Sequence, residues 1–340
     1  MKEIRLGTIG SNFITHNILD GVSQTEGIRL EAVYSRTREK GQALASKYGA
    51  EKVYTDLDAF LADDKVNVVY IASPNLLHYP QAKKALLAGK HVLLEKPFTT
   101  KLEHAKELVQ IAKERDLILV DAVPTACLPN FYILKEQLPK IGRIKAVMGN
   151  YSQYSSRIGR LFSGELPNVF SIAYAGGSLM DINFYNIYLN VSLFGKPVSA
   201  RYYPNFLPLD GVADTSGSLT LHYDDFVSQN VGAKDTWGVC FFQIEGEKGY
   251  IYVTGGPVSL DEIHVVTMDG EESFNLQEGH DRWYFEVQEV TRRILADDRE
   301  TFRQRLDTML DVIDTLETCR REAGILFPGD EEKSVKSHDF

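Results

Sequence analysis

The chain has 340 residues, enough for two domains, since a single hydrophobic core stops growing at roughly 250–300 residues. Its composition, 44% hydrophobic and 25% charged, is that of an ordinary globular protein, and a formal net charge of −10 argues against a nucleic-acid partner or an anionic membrane surface. Cys127, Cys240 and Cys319 form no CxxC pair, no apolar run nears the roughly 18–20 residues of a membrane span, and a strand opens the chain. We therefore expect buried or incidental thiols, no metal site, no targeting segment and a cytoplasmic protein.

Ile4–Ile9 alternates into an apolar strand, and Gly10 follows at once. Residues 12–22 place Phe13, Ile14, Ile18, Leu19 and Val22 at three-to-four spacing, which predicts a helix. A strand, a glycine and a helix start suit a pyrophosphate, because the turn offers bare backbone and the helix aims N–H groups at the charge. Only the first glycine of a GxGxxG fingerprint stands, with Asn12 and Thr15 at the other two positions. A plain βα turn is the competing reading. With Gly10, the residues Ser11, Asn12, Phe13 and Ile14 are the candidates for this end of the cofactor.

The next strand, over 28–34, runs into Ser35-Arg36-Thr37-Arg38. NAD-preferring folds place an acid here for the ribose 2′-hydroxyl. A hydroxyl and two arginines suit a 2′-phosphate instead, so NADP is expected in preference to NAD, held by Ser35 and Arg36. The competing reading is a solvated helix start. Helices over 39–48, 57–61, 79–88 and 102–115 then alternate with strands over 52–54, 66–72, 91–94 and 117–121. This is the pattern of an α/β doubly wound parallel sheet, and it places an N-terminal dinucleotide-binding domain at residues 1–122. Glu95-Lys96-Pro97 stands where a buried strand ends, and open α/β sheets bind ligands outside the carboxyl ends of their strands.

Gly10, Ser73-Pro74-Asn75-x-x-His78, Gly89-Lys90-His91-Val92 and Glu95-Lys96-Pro97 stand in the order and spacing of the Gfo/Idh/MocA oxidoreductases, and the chain resembles that family. The resemblance implies a Rossmann domain in which Ser73, Pro74 and Asn75 line the nicotinamide side of the cleft and Lys96 lies beside the reacting carbon. His78 is placed on the same side, more as a packing or capping residue than as a proton relay, and Glu95 as a support for Lys96. The family often carries an arginine where this chain has Ala126, so one polar contact of the family is in doubt here.

From residue 123 the chain is expected to form a second, α+β domain to residue 340, with a large open, predominantly antiparallel sheet. Candidate strands cover 144–152, 198–206, 216–223, 226–232, 238–246, 249–254, 262–268 and 271–276, with helices over 130–138, 280–296 and 301–321. The polar tail from Asp330 is expected to be loosely held. The resemblance implies a homo-oligomer, dimer or tetramer, through this sheet, and Tyr202, Tyr203, Phe241, Phe242, Tyr250 and Tyr252 supply aromatics for a contact or a core. Within Gly176-Gly177-Ser178-Leu179-Met180-Asp181-Ile182-Asn183-Phe184-Tyr185, a helix would put Asp181 and Tyr185 on one face. The segment is similar to the family's second signature, which implies that Asp181 is the acid and Tyr185 the proton donor, with Asn183 in place of a glycine.

The expected chemistry is hydride transfer between a nicotinamide and a carbinol or carbonyl carbon of a sugar, polyol or diol. Lys96 would supply a cation, Tyr185 would shuttle a proton if the ammonium lowers its pKa, and Asp181 would orient Lys96 and bind a substrate hydroxyl. Tyr154, Arg157, Asn168 and Asn183 are the substrate-side candidates, with Arg160 and Asn186 near them. A dinucleotide-binding sensor without chemistry and a reductase of aromatic diols or dicarbonyls are the alternatives.

Overall fold

The computed structural model describes residues 1–330, which form two sheets with helices packed around them. The last ten residues, and with them nearly all of the predicted loose tail, lie outside the described part.

The first sheet is built from β1 (Ile4–Ile9), β2 (Ile28–Tyr34), β3 (Lys52–Tyr54), β4 (Val68–Ile71), β5 (His91–Glu95) and β6 (Leu119–Ala122), all parallel, in the order β3-β2-β1-β4-β5-β6. The crossovers carry α1 (Phe13–Val22), α2 (Arg38–Tyr48), α3 (Leu57–Leu61), α4 (Asn75–Leu87) and α5 (Leu102–Glu114). The order reverses between β1 and β4, so a crevice opens where their C-terminal ends diverge. Both faces are covered, and Val68, Val69, Tyr70 and Ile71 of β4 are all at most 1% exposed, which is why that strand reads as an unbroken apolar run. Helix α4 starts at Asn75, four residues before the predicted start, and it carries Pro80 in its second turn.

The second half begins with α6 (Pro129–Gln137), β7 (Ile144–Ser152), α7 (Ile158–Phe162) and α8 (Phe184–Phe194). It continues through β8 (Ser199–Asn205), β9 (Ser216–His222), β10 (Val227–Ala233), β11 (Phe241–Gly246), β12 (Gly249–Thr254), the short α9 (Gly256–Ser259), β13 (Ile263–Thr267) and β14 (Gly270–Phe274). These eight strands form one sheet in the order β14-β13-β12-β11-β7-β10-β9-β8. Every pairing is antiparallel except β7 with β10, which run side by side in the middle. One face is covered by α8, and Tyr202 and Phe242 point into that core at 5% and 0% exposure. Tyr203 and Tyr250 stand on the open face, 64% and 42% exposed, with Tyr252 stacked on Phe241 there.

The chain ends on α10 (Arg282–Leu295) and α11 (Arg299–Glu322). In sequence they follow the second sheet, yet in space α10 returns to the first half, and α11 lies between the halves, packed on α5 and β6 as well as on α8 and β8. Val287, Val290 and Ile294 of α10 share a core with Ile18 and Leu19 of α1, and Leu306, Met309 and Ile313 of α11 share one with Leu108 of α5 and Leu119 of β6. Asp330, predicted as the start of a loose tail, is instead clamped by Arg320 at 2.5 Å and Arg321 at 3.0 Å.

Candidate active site

Four strand ends of the first sheet line up along the crevice. After β1, Gly10 holds φ +120°, and a Cβ there would come 2.6 Å from the Ala72 carbonyl oxygen, so the turn needs glycine. Asn12 replaces the second glycine of the fingerprint without loss of the turn. Its Oδ1 accepts from the Thr15 amide at 3.1 Å, capping α1, while its Nδ2 donates to the Ala72 carbonyl at 2.9 Å. Asn12 and Phe13 are exposed, and Ser11 and Ile14 are half-buried beside them. After β2, Ser35 is buried and Arg36 and Arg38 are exposed, two guanidinium groups close in sequence to a hydroxyl and without an ion pair among the described residues. After β4, Ser73 and Pro74 lead to Asn75, whose Nδ2 donates across the cleft to the Ala175 carbonyl at 2.7 Å. These features fit a dinucleotide: bare backbone and a capped helix start for the pyrophosphate, and cations at the ribose end.

After β5 comes the Lys96–Pro97 peptide, which is cis. Glu95 does not face the crevice. Its carboxylate is buried, accepts from the Tyr70 hydroxyl at 2.7 Å and from the Lys96 amide at 3.1 Å, and so fixes the backbone that carries Lys96. His78 is likewise turned inward, 1% exposed, with Nδ1 2.8 Å from the Pro97 carbonyl and Nε2 2.9 Å from that of Ser73. It ties two loops of the crevice together from behind, and burial pushes its pKa down to about 4 against the pull of those two carbonyls. Both side chains thus support, from behind, the loops that line the crevice.

Asp181 and Tyr185 do converge on Lys96. The segment Leu179–Asn183 is a π-helical turn that runs into α8, the kind of widened turn that re-aims side chains at functional sites. Asp214 holds its start, accepting from the Leu179 amide at 2.7 Å and from the Tyr202 hydroxyl at 2.6 Å. Lys96 Nζ donates to Asp181 Oδ1 at 2.6 Å and lies 5.0 Å from the centroid of the Tyr185 ring. Tyr185 is packed edge-on against Tyr151, centroids 5.8 Å apart, and none of the described residues hydrogen-bonds to its hydroxyl.

Electrostatics assigns the states. Burial alone would lower the Lys96 pKa, but the Asp181 carboxylate, with Tyr185 and Glu95, outweighs it and holds the ammonium above its ordinary value. Asp181 shows the mirror case: burial raises it, and the ammonium groups of Lys234 and Lys96 hold it well below the usual carboxylate range. Tyr185 departs from the expectation. Burial pushes its pKa up, and the pull of Lys96 and Arg282 does not compensate, so the ring is a neutral phenol at neutral pH. The ammonium sits over the face of the ring instead of donating to its oxygen.

The sequence reading missed Lys234. It stands one residue past β10, 3% exposed, with Nζ 2.5 Å from Asp181 Oδ2 and 2.9 Å from the Val169 carbonyl. Both oxygens of Asp181 are thus occupied by ammonium groups, one from each sheet, so its first task is to fix the two cations. The signal that singled out Lys96, a lysine just past the end of an apolar strand, is only half present at Lys234, which also follows a strand end, but one carrying Ser228, Gln229 and Asn230. Glu286 was missed too: it is 1% exposed on α10, and burial together with Glu95 pushes its pKa well up.

The substrate-side candidates separate. Asn183 is fully buried, donating to the Gly217 carbonyl at 3.2 Å and accepting from Asn186 at 2.9 Å. A Cβ at Gly232 would lie 2.5 Å from the Asn183 side chain, so helix and sheet meet here at backbone range. Asn183 is a helix–sheet strut and is withdrawn as a substrate contact, and Asn186 goes with it. Arg160 is paired with Glu165 at 2.6 Å on the surface. Tyr154 and Asn168 remain exposed, and Arg157 half-buried, on the segment between β7 and the π-helical turn. Ala126 is buried in a single turn of 3-10 helix, Pro124–Cys127.

Residues 4–122 match the model of the oxidoreductase family with an NAD-binding Rossmann fold, GFO_IDH_MocA. Along its length the chain is similar to the scyllo-inositol 2-dehydrogenase (NADP(+)) IolU of Bacillus subtilis, 34% identical over 96% of this chain and 99% of the relative. It is also similar to the trans-1,2-dihydrobenzene-1,2-diol dehydrogenase of Sus scrofa, 26% identical over 96% and 97%. A crystal structure of KijD10, a 3-ketoreductase from Actinomadura kijaniata with NADP and TDP-benzene, shares the fold with a TM-score of 0.82 at 22% identity, covering 94% of this chain and 97% of that one. The chain belongs to the Gfo/Idh/MocA oxidoreductases and is an NAD(P)-dependent dehydrogenase or reductase acting on CH–OH groups.

Proposed function

We propose that residues 1–122 bind NADP in preference to NAD, that the rest of the chain to residue 340 closes the substrate side, and that the substrate is a sugar or polyol. The observation that carries this reading is the contact of Lys96 Nζ with Asp181 Oδ1 at 2.6 Å beneath the Tyr185 ring, at the end of β5. The dinucleotide, when bound, supplies the site that takes up or gives the hydride. Lys96, a permanent ammonium, stabilises the negative charge that develops on the substrate oxygen. Tyr185, neutral, gives that oxygen a proton in the reducing direction, and Asp181 holds Lys96 in place. Arg36 and Ser35 support the choice of NADP, and the similarity to an NADP-dependent inositol dehydrogenase agrees with it.

Lys96→Met tests the assignment. Turnover of sugars and polyols is expected to fall by at least about 100-fold with the NADP dissociation constant nearly unchanged. A variant that keeps most of its rate ends the role given to Lys96. NAD binding as tight as NADP binding would remove the argument from Arg36. The exposed Tyr203, Tyr250 and Val231 on the open sheet face support a homo-oligomer, dimer or tetramer, that covers this face, and a cytoplasmic location belongs to the same proposal.

A further inference from the structure

Trp237 is 80% exposed, in the loop between β10 and β11, and its ring lies flat on that of Tyr154, centroids 5.4 Å apart and planes 7° apart. An exposed tryptophan stacked face to face with a second aromatic is an apolar surface in need of an occupant. The loop that presents it is fixed at both ends. Asp235 accepts from the Thr215 hydroxyl at 2.6 Å, and Gly238 packs so closely on the end of β7 that a Cβ there would lie 2.9 Å from that of Ser152.

Both rings are tied to the reaction centre by short, separate routes. Trp237 is three residues past Lys234, which holds Asp181 at 2.5 Å, so their Cα atoms lie within roughly 10 Å of one another. Tyr154 is three residues past Tyr151, whose ring packs on Tyr185. The two routes are cross-linked beyond the strand ends, where the Gln153 amide donates to the Ala233 carbonyl at 2.9 Å and the Ser155 amide to that of Lys234 at 2.8 Å. The parallel pair β7–β10 thus brings Tyr154 and Trp237 together within three residues of Tyr151 and Lys234, the side chains that pack on Tyr185 and hold Asp181.

We infer that the Tyr154–Trp237 pair is a stacking platform for the substrate ring, and that it selects a cyclic polyol or pyranose whose equatorial hydroxyls leave one ring face lined by C–H bonds. This rests on Lys96, Asp181 and Tyr185 being the reaction centre. The chemistry of the cleft favours such a ring: Tyr154 and Trp237 offer an aromatic face over which none of the described cations lies, whereas the reaction centre offers ammonium and phenol groups. A ring lying on Trp237 would keep its hydroxyl edge free to reach that centre. An open-chain polyol has no flat C–H face and gains little from the platform.

The test is steady-state kinetics with NADP on the full chain and on Trp237→Ala and Trp237→Phe. Scyllo-inositol, myo-inositol and glucose are compared with open-chain sorbitol, with light scattering on each variant. Trp237→Ala is expected to raise KM for the ring substrates by roughly 5- to 10-fold, with kcat within about twofold and sorbitol unaffected, and Trp237→Phe to recover most of the loss. Because the side chain is exposed, the variants are expected to fold, and an unchanged Tm and NADP affinity check this. The inference is overturned if KM for the ring substrates is unchanged, if sorbitol suffers equally, or if kcat alone falls. A change of oligomeric state in Trp237→Ala overturns it too, since the ring would then belong to a contact between copies. Turnover of sorbitol but no ring substrate by the wild-type protein would overturn it while leaving hydride transfer intact, and Lys96→Met decides that separately.

Discussion

Replacing Asp181 by Asn is the sharpest test of the charge arrangement, because one carboxylate serves two buried ammonium groups. The contacts are 2.6 Å to Lys96 and 2.5 Å to Lys234, whose side chains are 12% and 3% exposed. At an effective dielectric constant of about 20, a unit pair at such a distance attracts by about 6 kcal/mol before desolvation is subtracted. Desolvation of three groups removes most of this, and the Asp181 side chain, 32% exposed, is partly screened by solvent. The asparagine keeps one acceptor oxygen and no charge, so two cations are left facing a neutral amide. Loss of one partner from a buried pair costs about 3–5 kcal/mol, and the exposure of Asp181 places the expected loss at the lower end, about 3 kcal/mol at pH 7.

The pH dependence gives the argument its sign. In the wild-type protein burial already lowers the Lys234 pKa, and Asp181 opposes that shift. Without Asp181 the folded pKa of Lys234 falls further below its unfolded value, so the unfolded chain binds the extra proton and stability rises with pH through that window. The penalty in Asp181→Asn is therefore largest at neutral pH and shrinks toward pH 10, each unit of added depression returning about 1.4 kcal/mol. Urea denaturation of both proteins at pH 7 and pH 10 measures this. A loss below about 1 kcal/mol at pH 7, or one that does not shrink by pH 10, would refute the shared-carboxylate reading.

Tyr185→Phe is expected to lower kcat for reduction by roughly 100- to 10,000-fold while barely changing stability, since the hydroxyl has no partner among the described residues. In the wild-type protein the reductive rate stays flat through neutral pH, because the phenol loses its proton only above its ordinary value; a decline between pH 7 and pH 9 that disappears in Tyr185→Phe would contradict the raised pKa. Glu286→Gln concerns the buried carboxyl behind Glu95. A carboxyl whose folded pKa is raised contributes stability below its unfolded pKa of roughly 4.3 and loses it as pH rises toward the folded value. The glutamine variant is expected to gain Tm relative to wild type between pH 5 and pH 8, and a constant difference across that range would show that Glu286 is not held neutral.

Much of the fold was legible in the chain because its signals are local. Strand–helix alternation with apolar β4, the glycine after β1 and the lysine after β5 are each read within a few residues, and the observed elements follow those expectations closely. The second signature was legible in the same way, since Asp181 and Tyr185 need only a turn of helix to share a face. What was not legible concerns solvent. Whether Glu95, His78 and Asn183 face the cleft or the interior depends on which neighbours bury them, and those neighbours come from distant parts of the chain. Tyr185 illustrates the balance, because proximity to an ammonium was predictable but the larger effect of burial was not.

Lys96 was singled out by the sequence alone, through its place at the end of a buried parallel strand. Only the tertiary structure decided what holds it. A carboxylate has two oxygens, and nothing in the spacing of Asp181 says that the second is taken by Lys234, 53 residues further on. The same holds for α10 and α11, whose apolar faces were plain in the sequence while the surfaces they cover lie on α1 for α10 and on α5, β6, α8 and β8 for α11. Local periodicity states that a face must be buried; the partner is settled by how all the faces pack at once.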